Sequence, residues 1–507
     1  MSNQNILRLA IGASLSLVAS LVASQTFNKV HYNVASGFAN GHAVREYEDG
    51  YLVFGLQTEL DTVAQDCSVT RFDLNGNFTD ENYLHRPRIE IFGGYADPIA
   101  SLPSGNGFVA AQTTFSGGIA LDTVFLVRFN PNGDTLWTKR IISDSLVYVR
   151  KTHATANHYY FTGLYHAGAV YNSAFLLRTD TFANVQLTHF YPQIETLSLT
   201  VDDAGYAYLA GRQNSVYPKG MLLKIDTLGN TVWSSLQDRP IGTWFGVKSM
   251  FNDKVLCLGG WNESYPEYWL PNINTMYLSM YDVDGNLLWD YEGLRSRDSG
   301  GMFGQFTDGY QDTDSTFIAA GAIQQLFWNR AVIYRFNADG DSLWRRDYAH
   351  FGNLSALYPE VPWDIEPTSD GGMVLTGTTY NLDSIPPYSN QNMWILKLDS
   401  LGCLVPGCQY VGINELAYGL EDALTAWPNP GHGQINLTLT LPEGLPLVGN
   451  LQLQVFDALG RLVLRKVLGS QRSQTIPLDL QGQAPGLYSA HISDDRMIFT
   501  GTKLILE

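Results

Sequence analysis

Apolar and polar positions alternate along most of this chain in short runs, and the runs recur. YLVFGLQT, GFVAAQT, HYYFTGLY, YAYLAGR, VLCLGGW, TFIAAGA and MVLTGTT are apolar stretches that end near a glycine. After a variable gap each is followed by a strand, a tight turn of the Asp-x-x-Gly type, and another strand. The clearest copies are VRFNPNGDTLWTKR around Trp137, LKIDTLGNTVWSS around Trp233, SMYDVDGNLLWDY around Trp289 and YRFNADGDSLWRRDY around Trp344. Weaker copies surround Gly76, Ala183 and Gly402. Period-two patterning bounded by Gly and Asn turns predicts strands and hairpins. A further short strand before each apolar run makes four strands per unit, joined by a tight A–B turn, a variable B–C loop and a glycine-bearing C–D turn. Seven units can be counted.

A spacing of roughly 45 to 60 residues is the range of β-propeller blades, so the fold class predicted for residues 25–410 is an all-β, seven-bladed propeller. The in-register Trp137, Trp233, Trp289 and Trp344 are expected to pack between blades, since their rings bury large area there. Ring closure has its own signal. CLVPGC interrupts the outer strand of the last unit, whereas TFNKVHYN at Thr26 to Asn33 reads as a displaced fourth strand. The mature N-terminus is therefore expected to complete the last blade and remove an open sheet edge. The repeat resembles the secreted bacterial propellers whose blades carry D-x-x-G-[ND]-x-x-W, a resemblance that implies architecture and leaves activity open.

Beyond Cys408 the register stops. Residues 411–423 read as a linker, and residues 424–507 as a small immunoglobulin-like β-sandwich of alternating strands separated by Pro and Gly turns. Trp427-Pro428-Asn429-Pro430, Phe456-Asp457-Ala458-Leu459-Gly460-Arg461, Gly486-Leu487-Tyr488 and Lys503-Leu504-Ile505-Leu506 follow one another in the order of the type A C-terminal sorting domain of the type IX (Por) secretion system. The domain closely resembles that family, which usually has Tyr where Trp427 stands. The resemblance assigns Pro428, Asn429, Pro430, Asp457, Gly460, Arg461, Gly486, Tyr488 and Lys503 to the sorting motif. It also implies export from a Gram-negative cell. The partners it implies are the secretion machinery and its sortase, with surface lipopolysaccharide after processing.

The front of the chain agrees with export. Residues 1–24 hold one positive charge at Arg8, an apolar stretch from Leu9 to Val22, and small residues that predict signal-peptidase cleavage between Ser24 and Gln25. That stretch is shorter than a spanning helix. The protein is expected outside the cell or attached to its outer surface. Cys403 and Cys408 flank a Pro-Gly turn and are expected to form a disulfide in that oxidising setting. Cys67 and Cys257 read as buried small hydrophobes.

Composition narrows the partners. With 49 acidic against 31 basic residues the net charge is −18, which repels a phosphate backbone and argues against nucleic acid. No cofactor is predicted, and structural calcium is left open. Asp282 and Asp284 resemble half of a calcium loop but lack its later ligands, so turn chemistry accounts for them. His153, His158 and His166 fall on separate strands and predict no metal site. Asp122-Thr123-Val124, Asp226-Thr227-Leu228 and Asp383-Ser384-Ile385 resemble an O-glycan acceptor used by some bacteria with this secretion system. No GxSxG, HExxH, phosphate-binding loop or dinucleotide fingerprint occurs in a fitting context.

A ligand site in a propeller belongs on the face built by the B–C and D–A loops. The longest B–C loop carries Trp261, Glu263, Tyr265, Glu267, Tyr268 and Trp269, rings and carboxylates suited to stacking on and bonding a sugar. Trp328 and Tyr388, read as B–C loop residues of the next two units, flank the same area. The reading favoured is a non-catalytic module that binds a glycan or a protein. The alternatives are a polysaccharide hydrolase or lyase with acids at the channel mouth, and a structural surface-layer or adhesin component.

Overall fold

The computed structural model describes residues 26–404 and 414–507, apart from 33–35, 48, 60–64, 84–89, 93–98, 117–118, 143–145, 168–169, 216, 240, 252, 263–273, 297–303, 326–327, 351–359, 381–390, 416–422, 442–446, 448, 458–460 and 495–496. The described residues form strands and turns with no α-helix, and none of them forms a helix long and apolar enough to cross a membrane.

Seven antiparallel sheets follow one another along the chain. Blade 1 runs through Ser36–Tyr47, Gly50–Glu59, Gln65–Asp73 and Phe78–Tyr83. Blade 2 has a split inner strand, Glu90–Phe92 and Ile99–Ser101, then Phe108–Ser116, Ile119–Phe129 and Thr135–Ile142. Blades 3 to 6 open on the inner strands Leu146–Ala154, Ile194–Val201, Gly242–Met250 and Gly304–Thr313. Blade 7 comprises Val361–Pro367, Met373–Tyr380 and Gln391–Leu398, and its outer strand is Phe27–His31 from the other end of the chain.

Each seam between successive blades has its own apolar cluster, because strands covered on both faces are apolar on both faces. Phe54 and Val69 meet Phe108 and Phe129 between blades 1 and 2. The last seam joins Phe27, Met393 and Ile395 of blade 7 to Val44, Val53 and Phe72 of blade 1, so the ring is closed.

The repeated tryptophans latch one blade to the next. A Cβ at Gly285 would lie 2.8 Å from the Trp233 ring, one at Gly340 2.7 Å from Trp289, and one at Gly402 2.7 Å from Trp344. All three glycines have φ between 71° and 89°, so the C–D turn demands the left-handed conformation while the preceding blade's ring demands the missing side chain. The indoles also donate across the seam, Trp233 Nε1 to Val283 O and Trp289 Nε1 to Ala338 O, both at 3.0 Å. Other seams use Arg71 Nε to Asn132 O (2.8 Å), Arg178 Nη1 to Thr227 O (3.0 Å) and Arg346 Nε to Leu401 O (2.9 Å). In blade 7 Phe27 takes the tryptophan's place. It pairs with Lys397 as Trp344 pairs with Arg335, and a Cβ at Gly76 would lie 2.5 Å from its ring.

Turn chemistry explains the Asp-x-x-Gly motif. Asp282 Oδ1 accepts from Asp284 N (3.0 Å) and Asn286 N (2.8 Å), and Asn286 Nδ2 donates to Oδ2 (2.8 Å). These bonds, led by those from Asn286, lower the Asp282 pKa.

The C-terminal domain packs a sheet of five strands on one of three around Leu437, Leu453, Ala490 and Leu504. Its fifth strand, Asn414–Glu415, lies in the stretch read as linker and pairs in parallel with Met497–Leu506.

Candidate functional site

Buried polar side chains gather in several places, among them the central channel, the seam between blades 4 and 5, the Gln57 cluster of blade 1 and the Asn28 network of blade 7.

The channel is lined by the inner strands, and six of these are bulged at the same position. The register shifts fall at His42, Arg150, Leu197, Phe245, Thr307 and Trp363. A bulge adds one residue to one strand and re-aims the side chains that follow. Just beyond it come Lys151, Ser198, Asp308 and Asp364. Ser198 Oγ accepts from Val247 N of the next blade (3.1 Å), and Asp364 Oδ2 accepts from Val44 N of blade 1 (2.8 Å).

Around these lies an ion network. Arg45 Nη1 is 2.6 Å from Asp364 Oδ2 and 3.2 Å from Glu366 Oε1, while Lys248 Nζ is 2.9 Å from Asp308 Oδ1. Burial pushes the Asp308 carboxyl up, yet Lys248 and then Lys151 outweigh it and hold it at about 2. The same carboxylates, Asp308 foremost, overcome burial and raise Lys248 above the usual lysine range. Nearer the loop face, Glu195 bonds Arg212 (2.6 Å) and Arg150 (3.5 Å). Each acid has a base beside it, the Asp308 and Asp364 carboxyls also hydrogen-bond to each other, and the arrangement clamps blades 1, 5, 6 and 7 around the axis. None of its residues was singled out in the sequence. Among the described residues no three His, Cys, Asp or Glu side chains group as a metal site.

Of the residues chosen from sequence, Trp261 is described and lies inside the fold. It is in the second strand of blade 5 (Lys254–Asn262), paired with Gly242 and Thr275. Its ring packs against the cluster of Trp244 and Tyr277, with the Arg239 guanidinium 5.8 Å from its centroid. Glu263, Tyr265, Glu267, Tyr268, Trp269 and Tyr388 lie outside the described residues. Trp328 begins the third strand of blade 6, paired with Gln325, where the sequence had suggested a loop; its side chain is not described. Ser24 and Gln25 also lie outside, as does Cys408. Cys403 is disulfide-bonded and buried, with the other half of its bridge outside the described side chains, and Cys257 is a buried free thiol.

The sorting-motif residues hold the end of the sandwich together. Asn429 Nδ2 donates to Lys503 O (2.7 Å) and Asn429 Oδ1 accepts from Ile505 N (2.8 Å), so the Pro428-Asn429-Pro430 turn is laid along the last strand. Asp457 carboxylate oxygens accept from Arg461 N (2.9 Å) and Nε (2.7 Å), and the Tyr488 hydroxyl donates to Ala484 O (2.7 Å). Gly486 has a φ of 150°. Gly460 lies outside the described residues. Burial lowers the Lys503 pKa.

Comparison with known proteins bears on the tail most directly. Residues 425–507 match the secretion system C-terminal sorting domain family. The chain therefore carries a type IX sorting domain and is secreted by that route to the cell surface. Among curated proteins none matches the chain. Similar solved structures include the β-propeller domain of the trilobed protease of Pyrococcus furiosus (9% identity, 71% of this chain and 94% of that one, TM-score 0.40). Others are the Pyrococcus horikoshii acylaminoacyl peptidase (7%, 82% and 59%, 0.37) and a glycoside hydrolase family 32 protein from Bifidobacterium adolescentis (10%, 94% and 78%, 0.33). At these scores none of them bears on activity.

Proposed function

We propose that the propeller is a non-catalytic module, carried to the cell surface by its sorting domain, that binds a glycan or protein at the loop face of the ring. The observation that supports this most is the pairing of the channel acids. Acid–base cleavage of a polysaccharide needs a carboxyl kept protonated near neutral pH beside an ionised one. Asp308 lies 2.9 Å from a lysine and is held at about 2, and its hydrogen-bonded neighbour Asp364 lies 2.6 Å from an arginine, so each acid has a cation beside it. Such groups are suited to holding the scaffold.

Glycan-array binding by the mature protein tests the reading, with Trp261→Ala and Trp269→Ala as variants. Loss of binding in both is the expected result, and binding unaffected by either counts against the site. On the same reading the leader is removed after Ser24, and a sortase cut in the linker frees the propeller for attachment to lipopolysaccharide. A hydrolase or lyase stays in view because Asp308 and Asp364 occupy matching positions on adjacent inner strands and their carboxyls hydrogen-bond to each other. Polysaccharide turnover abolished by Asp308→Asn would favour that alternative.

A further inference from the structure

The edge of a sheet is a row of backbone groups with which another strand can pair, so a sandwich of two open sheets has four places to guard. In the C-terminal domain the smaller sheet ends on Leu424–Trp427 and Ser473–Asp479, and the larger on Asn414–Glu415 and Leu462–Gly469. Three of these are blunted. Leu424–Trp427 has four residues and stops at Pro428. Ser473–Asp479 carries Pro477, which has no N–H to offer a partner. Asn414–Glu415 is two residues long and pairs with Met497 and Ile498 at the start of the last strand. Further along that strand residues 429–431 take its outer groups: Gly431 N donates to Ile505 O (2.9 Å), and Ile505 N donates to Asn429 Oδ1 (2.8 Å).

Leu462–Gly469 is different. It runs for eight residues without a proline and pairs on one side with Leu451–Asp457, and among the described residues no strand pairs with its other side. Leu462 and Val467 are 51% and 63% exposed on it, and an edge that shows apolar side chains invites pairing with another chain. Its charge has one sign. Residues 424–507 hold six basic and six acidic residues, yet four of the basic ones, Arg461, Arg465, Lys466 and Arg472, share one stretch with no acid between them. Arg461 is paired with Asp457, whereas Arg465 bonds the neutral Gln452 (2.9 Å) and keeps its charge uncompensated beside the exposed Lys466.

We infer that this edge is a docking strand, to which a protein of the secretion machinery adds an extended segment that alternates acidic and apolar residues. Strand addition draws affinity from main-chain hydrogen bonds and specificity from the side chains along the edge. Here Leu462 and Val467 offer apolar contact, and Arg465 and Lys466 favour an acidic segment over a basic one. The same two charges disfavour a second copy of the edge, since like charges placed opposite one another repel. The partner is assigned to the secretion machinery because residues 425–507 are the sorting domain. The inference is thus independent of what the propeller binds.

Two measurements on the full chain test it. In secreting cells, Arg465→Glu combined with Lys466→Glu should cut the surface fraction at least about fivefold and hold the protein in the periplasm, because two favourable contacts become repulsive. Val467→Ser should lower the surface fraction about twofold or more by removing apolar contact. Thr475→Glu, on the proline-bearing edge, should leave it unchanged. Melting temperatures of the purified variants are expected to stay near the wild type, since exposed side chains are changed, and they separate lost docking from lost folding. With purified wild-type chain, a short peptide alternating Glu and Val should slow amide hydrogen exchange in Leu462–Gly469, and its Lys and Val counterpart should not. Normal surface display of the double charge variant, or no protection of that strand by the acidic peptide, overturns the docking strand. Equal protection by both peptides overturns the charge selection. A dimer on gel filtration that the double charge variant dissociates gives the edge to a second copy and overturns the assignment to the machinery.

Discussion

Asn28→Ala tests ring closure at a single side chain. Asn28 is on the N-terminal strand, fully buried in blade 7, and bonds three groups that are far from it in sequence. Its Nδ2 donates to Ala349 O (3.1 Å), and its Oδ1 accepts from Trp394 Nε1 (2.7 Å) and His350 Nδ1 (3.0 Å). Alanine leaves a carbonyl, an indole N–H and an imidazole N–H to find new partners in a closed seam. At about 1–3 kcal/mol for each buried group left unsatisfied, and with some relaxation, the loss should be about 3–6 kcal/mol. That is a large part of the roughly 5–15 kcal/mol by which domains are stable. Urea unfolding followed by tryptophan fluorescence reads it as a lower midpoint at unchanged slope. A double-mutant cycle with Trp394→Phe isolates the indole bond, and Trp394→Phe should cost about 1–2 kcal/mol less in the Asn28→Ala background than in the wild type. A loss under about 1 kcal/mol for Asn28→Ala, or no coupling to Trp394, would refute the view that this strand locks the ring.

Three other outcomes follow from the same geometry. Burial, helped by Lys29, lowers the His350 pKa to about 4 from 6.5. The unfolded chain then binds the proton more readily, so stability should fall by about 2 kcal/mol between pH 7.5 and pH 5, and His350→Gln should flatten that part of the profile. Trp289→Ala should cost about 2 kcal/mol by removing a half-buried ring and its bond to Ala338 O. Gly340→Ala should destabilise too, through a φ of 89° and a Cβ placed 2.7 Å from that ring; thermal melts measure both. Removing residues 424–507 should leave the protein in the periplasm, as cell fractionation would show.

What could be read from the sequence is what repeats. Glycine and tryptophan recur at a fixed offset because one turn conformation and one seam contact are made in several blades, so both the blade count and the role of the rings were legible. The closing strand was legible as a strand. That Phe27 stands in the tryptophan's slot became visible only through its pairing with Lys397 and its ring against Gly76. The polar side chains between blades 4 and 5 could not be found that way. Gln237 and Arg239 sit in the SSLQDRPIG connection of one unit alone, and Trp261, read as a loop aromatic, belongs to a strand.

The channel network was hidden for a different reason, and blade 5 shows it. In a regular strand Trp244 and Lys248, four apart, face the same side, and Val247 faces the other. The bulge at Phe245 reverses this. Trp244 and Val247 share the cluster toward blade 4, and Lys248 turns toward blade 6 and meets Asp308 at 2.9 Å. Alternation read through an unseen bulge therefore assigns the lysine to the wrong seam, and the same error hides Asp308 and Asp364 behind their own bulges. The ion pair this creates has a testable energetic signature. Lys248→Met alone leaves the Asp308 carboxylate buried with weaker compensation and should cost about 3 kcal/mol or more. Lys248→Met with Asp308→Leu removes both charges and should recover most of that loss, because desolvation offsets much of the attraction in a buried pair. If the double variant is no more stable than the single, Asp308 is held by the rest of the network, and the clamp between blades 5 and 6 does not depend on this pair.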